Sequence, residues 1–476
     1  MMKNINKFLF GIILTAGITA CDPGDFGDVN INPNSPSNPI ASSLLTGAER
    51  GIVSTITDTQ GSLYVQQMAN KQYTSADRYE TVQWSYNGFY TGPLVNLQKI
   101  IDLNSDAATK GDAAQFGSNN NQIAIARILK AYFYMHMTDR WGDIPYSQAL
   151  QGSTNFKPAF DAQSKIYPDL IKEVTEAAAQ IDNGAAIKGD IINGGNMTKW
   201  KKFANSLKAI MALRMSKADP AAAKTAFTAA IAGGVITTNA DNIVYAFLAE
   251  DINDNPWQDR FESRKDWTVS EIFVNTLKSM NDPRLGVFAD KALLKQDYVG
   301  MVYGLDESKA GSISNGDVSF LGEAMRQQTS PGYIVTAAQM HLAMAEAAVL
   351  GWTTDAEVHY NAAIKAGLEQ YGKGAEYATY IAGPNVKYNP AKAMEQIGTQ
   401  RWITLFSYGY EAWAEWRRTG YPVLAAPANN LNPGGLIPRR QGYTTIERDL
   451  NAANYNAAVS ALGGKDDLNG RVWWNK

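Results

Sequence analysis

The stretch Tyr333–Tyr371, YIVTAAQMHLAMAEAAVLGWTTDAEVHYNAAIKAGLEQY, holds two helical patterns with very little chain between them. Apolar and small residues recur at the three-to-four spacing of an α-helix over 333–350 and again over 355–371. Gly351 lies just past the first run, where glycine readily takes the left-handed conformation that ends a helix. So short a connection predicts an antiparallel helical hairpin. Ala343, Ala345, Ala347, Ala362 and Ala363 allow the two helices to approach closely. Gly351-Trp352 followed by Ala356 and Tyr360 is weakly similar to a tetratricopeptide unit, but no strict period repeats elsewhere. The pattern predicts several degenerate helix pairs rather than a regular array.

Working outward, the same helical period predicts helices over 41–70, 86–103, 119–138, 160–181, 197–217, 221–232, 268–280, 390–398 and 401–418. Asp219-Pro220 ends one helix and starts the next. Asn196-Met197-Thr198 formally matches a glycosylation acceptor, but Asn before a helical run also serves helix initiation. The stretches 104–118, 182–196, 233–266, 281–332, 372–389 and 419–476 are richer in Gly, Asn, Asp and Pro and read as irregular, with short strands expected at 240–247 and 298–304. Long loops are frequent binding surfaces, so the expectation is a helical scaffold carrying a loop-rich lobe.

At the N-terminus, Lys3 and Lys7 precede or flank the apolar run Phe8–Leu14, and Thr19-Ala20-Cys21 follows. A basic start, a short apolar stretch and small residues make a cleavable leader, and the apolar stretch is short for a membrane span. Cys21 is the only cysteine, so it has no internal disulfide partner. Residues 1–20 are therefore expected to be a signal peptide, and 21–40, punctuated by Pro23, Pro33, Pro36 and Pro39, a turn-rich tether. The remaining 41–476 is expected to fold as one domain.

Apolar residues make up 45% of the chain and charged residues 19%, an ordinary globular balance. Removing Lys3 and Lys7 with the leader takes the formal charge from -3 to -5. No Lys/Arg run is long enough for a nucleic-acid footprint. The three histidines, His136, His341 and His359, form no pair at metal-ligand spacing, and neither HExxH nor a cysteine cluster is present. His136, among Tyr134, Met135 and Met137, reads as structural. No phosphate-binding glycine loop and no GxSxG elbow occurs. Metal, cofactor and nucleotide are all therefore absent from the expectation. Asp143, Glu262 and Asp266 are the carboxylates imaginable in glycoside hydrolysis, which needs two of them about 5 to 9.5 Å apart. Caps and ion pairs account for such residues equally well.

Five ordered blocks complete the picture: Thr138-Asp139-Arg140-Trp141-Gly142-Asp143-Ile144-Pro145-Tyr146; Asn281-Asp282-Pro283-Arg284-Leu285; Gln400-Arg401-Trp402; Glu411 to Pro422; and Ile437-Pro438-Arg439-Arg440 with terminal Arg471 to Trp474. With Ala345-Glu346-Ala347-Ala348 they resemble, in order, the SusD/RagB family of outer-membrane nutrient-binding lipoproteins. Ile18-Thr19-Ala20-Cys21 resembles the bacterial lipobox. The resemblance implies a mainly α, SusD-like fold with tetratricopeptide-like helix pairs and a loop-rich second lobe. It implies lipidation of Cys21, a cell-surface position on the outer membrane, and a SusC-like TonB-dependent transporter as partner. The implied activity is capture of an oligosaccharide or polysaccharide fragment for import, without catalysis. A surface glycoside hydrolase and a peptide-binding import lipoprotein are the alternatives.

The motif residues Arg140, Trp141, Trp402, Glu411 and Arg417 read as structural: Arg pairs bidentately with carboxylates and Trp fills core volume. Ligand contacts are expected on the loops instead. One group is Tyr73, Tyr79, Trp84 and Tyr86; the other is Asn255, Trp257, Gln258, Arg260 and Phe261, with Trp257 foremost. An aromatic ring carries a sugar face while amides and guanidinium groups read its hydroxyls, and a selective pocket needs that mixture.

Overall fold

Helix termini in this chain are written by capping residues. Asn196 accepts the Lys199 N–H, Asp219 the Ala222 N–H, Ser270 the Phe273 N–H and Thr336 the Gln339 N–H, each satisfying an otherwise orphaned donor. The computed structural model describes residues 39–476. The proposed leader, Cys21 and nearly all of the tether lie outside the described residues.

The helices of seven residues or more are α1 (Ala41–Arg50), α2 (Val95–Ser105), α3 (Asn119–Trp141), α4 (Gln163–Gln180), α5 (Met197–Arg214), α6 (Pro220–Ala232), α7 (Pro256–Glu262), α8 (Glu271–Met280), α9 (Ala337–Val349), α10 (Ala356–Gln370), α11 (Ala393–Thr404), α12 (Gly409–Thr419) and α13 (Ala452–Ala461). They pack largely as neighbours in sequence: α2 on α3, α3 on α4, α4 on α5, α5 on α6 and α9 on α10. Between them lie strands β1 (Met68–Asn70), β2 (Ile144–Pro145), β3 (Phe160–Asp161), β4 (Ile243–Tyr245), β5 (Trp267–Val269) and β6 (Gly332–Val335). These form three two-stranded antiparallel ladders, β1–β5, β2–β3 and β4–β6. Among the described residues no helix is long and apolar enough to cross a membrane.

The hairpin of α9 and α10 forms as its pattern predicts, with Gly351 at φ +70° closing the first helix. Four expectations need correction. The run 41–70 is broken: α1 gives way at Gly51 to short helices Val53–Ile56 and Gln60–Tyr64 and then to β1. There the Gln60–Tyr64 turn crosses α12 so closely that a Cβ on Gly61 would lie 2.2 Å from the Tyr410 nitrogen. The strand expected at 298–304 is reduced to a single bridge from Ser270 to Met301. The break in the α11–α12 region falls at Leu405–Tyr408, where Ser407 takes φ +72°, rather than near residue 399. Finally, 233–266 and 419–476 contain helices α7 and α13, whose shortness hides their period.

The family-like blocks meet in the interior. Arg214 pairs with Asp139, with Glu411 at 2.5 Å and with Glu415 at 2.8 Å. Glu346 holds Arg401 at 2.6 Å and Arg418 at 2.5 Å. Glu415 closes the chain to Arg401 at 3.0 Å and Arg418 at 2.6 Å. All seven side chains are buried. Three guanidinium groups thus face four carboxylates, and burial pushes the Glu411 carboxyl above its ordinary value against the opposing pull of Arg214. Arg140 lies between the rings of Trp141 and Tyr410, 4.2 and 3.7 Å from their centroids. Arg417 stands 3.6 Å over Trp413, and Trp402 donates its indole N–H to the Val65 carbonyl. These residues hold the scaffold and face no solvent.

Candidate functional site

The β1–β5 ladder joins segments nearly two hundred residues apart, in the register Met68↔Val269, Ala69↔Thr268 and Asn70↔Trp267. It places the 71–86 loop beside the 255–266 segment. Asn70 fixes the exit of β1: its side-chain oxygen accepts the N–H groups of Gln72 and Tyr73, and its own N–H donates to the Asp77 carboxylate at 2.9 Å. Lys71 N–H donates to the Asp266 carbonyl at 2.8 Å. Tyr73 emerges 52% exposed. Arg264 donates to its hydroxyl at 2.6 Å, stands 5.2 Å from its ring centroid and is itself held by Asp266 at 3.3 Å. The phenol ring is thereby fixed at the surface with a guanidinium group beside it.

Behind this pair, Asn255 caps α7. It accepts the Trp257 N–H at 2.9 Å and donates to the Ser330 carbonyl at 2.8 Å, while Pro256 occupies the first helical turn, where its missing N–H costs nothing. Phe261 is half-buried, edge-on to Phe320, with the Arg326 guanidinium 4.9 Å from its centroid. Gln258 pairs with Glu262 one turn on. Burial lowers the Arg260 pKa from its ordinary value. Four buried polar atoms here, Asp254 Oδ2, Trp257 Nε1, Gln258 Oε1 and Arg260 Nη1, have no hydrogen-bond partner among the described residues. Such a concentration is unusual, since buried polar groups are nearly always paired.

Several expected platforms are interior residues. Trp257 is only 2% exposed, edge-on to Trp267 and covered by Arg260 at 4.6 Å. Tyr79 is buried at φ +65°, its hydroxyl accepting from Gln66 at 3.2 Å. Tyr86 is buried edge-on to Trp141, 5.1 Å between centroids. Asn255 is buried and spent on capping. None of these four presents a face to an incoming ligand in this conformation. Trp84 is half-buried, its indole N–H donating to the Thr81 carbonyl at 3.2 Å. Of the first group Tyr73 alone stands open, and the ladder brings it to Arg264, a residue in neither expected group.

The three carboxylates considered for hydrolysis are all engaged locally. Asp143 accepts the Gln163 N–H at 2.8 Å, and burial raises its carboxyl pKa. Glu262 accepts from Gln258, and Asp266 pairs with Arg264.

A second concavity, about 610 Å³, opens between Tyr90, Leu150, Phe156, Ile446, Leu450 and Asn451. Phe156 and Leu450 stand 79% and 68% exposed at its rim. Its size suits a small ligand. The sequence offered no signal for it, because one wall, at Tyr90, comes from the 86–103 helical run and the others from loops and the C-terminal stretch read as irregular, segments that only the tertiary fold brings together.

Comparison with known proteins agrees with this architecture. Among solved structures, a chitin-binding protein shares 28% identity with a TM-score of 0.80, covering 91% of this chain and 99% of its own. A chitin-binding SusD homologue from Flavobacterium johnsoniae shares 25%, with a TM-score of 0.77 over 92% of this chain and 98% of its own. A SusD homologue from Bacteroides fragilis shares 25%, with a TM-score of 0.80 over 92% and 100%. No curated protein matches the sequence significantly. A family model described as "starch-binding associating with outer membrane" matches residues 33–444. Spanning the scaffold from before α1 to the edge of the C-terminal segment, that match means the chain belongs to the SusD-like family.

Proposed function

We propose that the protein is a glycan-binding lipoprotein of the outer membrane that captures an oligosaccharide and hands it to a SusC-like TonB-dependent transporter, without breaking it. The observation that carries this reading is the Tyr73–Arg264 pair fixed at the surface by the β1–β5 ladder. A sugar ring presents an apolar face and a rim of hydroxyls; a held phenol ring takes the face, and a neighbouring guanidinium donates to the rim. Because Arg264 already holds the phenol, little side-chain freedom remains to be lost on binding. The unpartnered atoms of Gln258 and Arg260 lie on the helix behind and supply further polar contacts once the loop adjusts. Anchoring through Cys21 keeps the binding face close to the transporter. Two solved relatives are described as chitin-binding, so N-acetylated oligosaccharides are the first ligands to offer.

Calorimetric titration of the mature protein with chitin oligosaccharides, starch oligosaccharides and a peptide pool, with product analysis by mass spectrometry, tests the reading. Saturable glycan binding without new products, weakened about 2- to 10-fold by Tyr73→Ala, is the expected outcome. Glycan affinity unchanged by Tyr73→Ala but lost in Phe156→Ala moves the site to the second concavity. Repeated bond cleavage, or binding of peptides alone, overturns the proposal.

A further inference from the structure

The hairpin of α9 and α10 brings together two histidines eighteen residues apart in sequence. His341 on α9 and His359 on α10 approach with their Nδ1 atoms 3.3 Å apart. The other nitrogen of His341 lies 3.1 Å from the Thr237 carbonyl. A carbonyl only accepts, so His341 Nε2 carries the proton and its Nδ1 is a bare lone pair. That lone pair points at His359 Nδ1, which carries the proton shared between the rings.

From this geometry we infer that His341 and His359 form a two-imidazole site for a divalent transition-metal ion of the zinc, nickel or copper class, clamping α9 to α10. Three observations support it. Two nitrogens each about 2.0–2.1 Å from one tetrahedral ion stand about 3.3 Å apart, the spacing already present here. Metal-bound imidazoles characteristically donate their second N–H to a carbonyl or carboxylate, which fixes the tautomer and raises ligand basicity; Thr237 performs that service for His341. Both rings are half-buried, so each is held by its surroundings and is still reachable from solvent.

Binding requires no net loss of protons. His359 gives up its Nδ1 proton and takes one at Nε2, leaving both Nδ1 lone pairs on the ion. Among the described residues no group of three or more His, Cys, Asp or Glu side chains is placed to hold a metal. The remaining positions on the ion therefore fall to water, and the site is an accessible one of moderate affinity rather than a closed structural centre.

The test uses untagged full-length mature protein, with Cu²⁺ and Zn²⁺ as the probes. Titration calorimetry is expected to show one ion per chain, and the electron paramagnetic resonance spectrum of the Cu²⁺ form to show coupling to two imidazole nitrogens. His341→Gln and His359→Gln are each expected to lower affinity about 100-fold or more. Zn²⁺ should raise the thermal midpoint of the parent protein and leave both variants unmoved. No uptake by the parent protein, a Cu²⁺ spectrum without two-nitrogen coupling, or unchanged affinity in either folded variant would overturn the inference. The copper spectrum needs no substitution, so it decides the matter even if a variant fails to fold.

Discussion

Glu49, near the end of α1, is fully buried, with Oε2 accepting the Ile191 N–H at 2.7 Å and Oε1 without a hydrogen-bond partner among the described residues. Beside it, the Asp190 carboxylate accepts from the Ile192, Asn193 and Gly195 N–H groups and from the Trp200 indole. Burial, reinforced by the Asp190 charge, pushes the Glu49 carboxyl from 4.5 up to about 10. The folded protein thus keeps a proton that the unfolded chain releases above its ordinary pKa. With the folded pKa raised, the contribution to stability is full below pH 4.5 and is lost as pH climbs toward 10. Each pH unit costs about 1.4 kcal/mol, so at pH 7 the folded state carries a protonation cost of about 3 kcal/mol. That figure needs only a folded pKa above 7.

Glu49→Gln removes the cost while keeping the shape. Its amide oxygen can still accept the Ile191 N–H, and its amide nitrogen supplies a donor toward Asp190. The variant is expected to match the parent near pH 4.5 and to exceed it by about 3 kcal/mol at pH 7, with the gap widening at pH 8.5. Urea unfolding followed by tryptophan fluorescence at pH 5, 7 and 8.5 measures the difference. A difference that does not change with pH, or a variant less stable than the parent at pH 8.5, would refute the reasoning.

Gly61→Ala is expected to cost about 3 kcal/mol, read as a lowered thermal midpoint, because the new methyl meets the backbone of Gly409 and Tyr410 at 2.2–2.3 Å and backbone cannot yield. Glu346→Gln leaves Arg401 and Arg418 short of a charge in the interior and is expected to cost about 3–5 kcal/mol at pH 7 by urea titration. Burial opposes it, but the Arg418 and Arg401 charges hold the Glu346 carboxyl below its ordinary 4.5. Its contribution is therefore present above pH 4.5 and fades as pH falls further, so the penalty of the substitution shrinks in acid. Trp257→Ala is expected to destabilise by about 3–5 kcal/mol, since the ring is buried against Trp267; lost glycan binding in that variant is informative only beside a circular-dichroism melt. Cys21→Ala is expected to release the protein from the membrane fraction, checked by fractionation and intact mass.

The helical hairpin was legible because α9 and α10 are long enough to show their period and Gly351 marks the boundary. The same period misled over 41–70, where apolar spacing continues through a segment whose backbone must bend to let Gly61 meet Gly409. Among the candidate site residues, composition could not separate Tyr73 from Tyr79 and Tyr86. Tyr73 and Tyr79 lie between the helical runs and Tyr86 at the first residue of one, and only the tertiary fold turns the last two inward. Trp257 reads as a loop residue because Asn255-Pro256 precedes it, yet that pair is the start of a short helix. Arg264 and the His341–His359 pair depend on register across a ladder and a hairpin, which spacing along the chain does not encode.

The strongest sequence signals and the proposed binding surface occupy different parts of the molecule, for a physical reason. Asp139, Arg214, Glu346, Arg401, Glu411, Glu415 and Arg418 come from five separate helices and satisfy one another in the interior. Removing one partner strands a buried charge, so these positions tolerate little change whatever the ligand. Tyr73 and Arg264 carry no such burden: both are more than half exposed, and their pairing rests on backbone bonds of the ladder rather than on their own side chains. A scaffold whose stability is confined to its core leaves its loops free to vary with cargo. The motif blocks therefore identify the family without naming the sugar, and selectivity for it is expected at the rim of the proposed site.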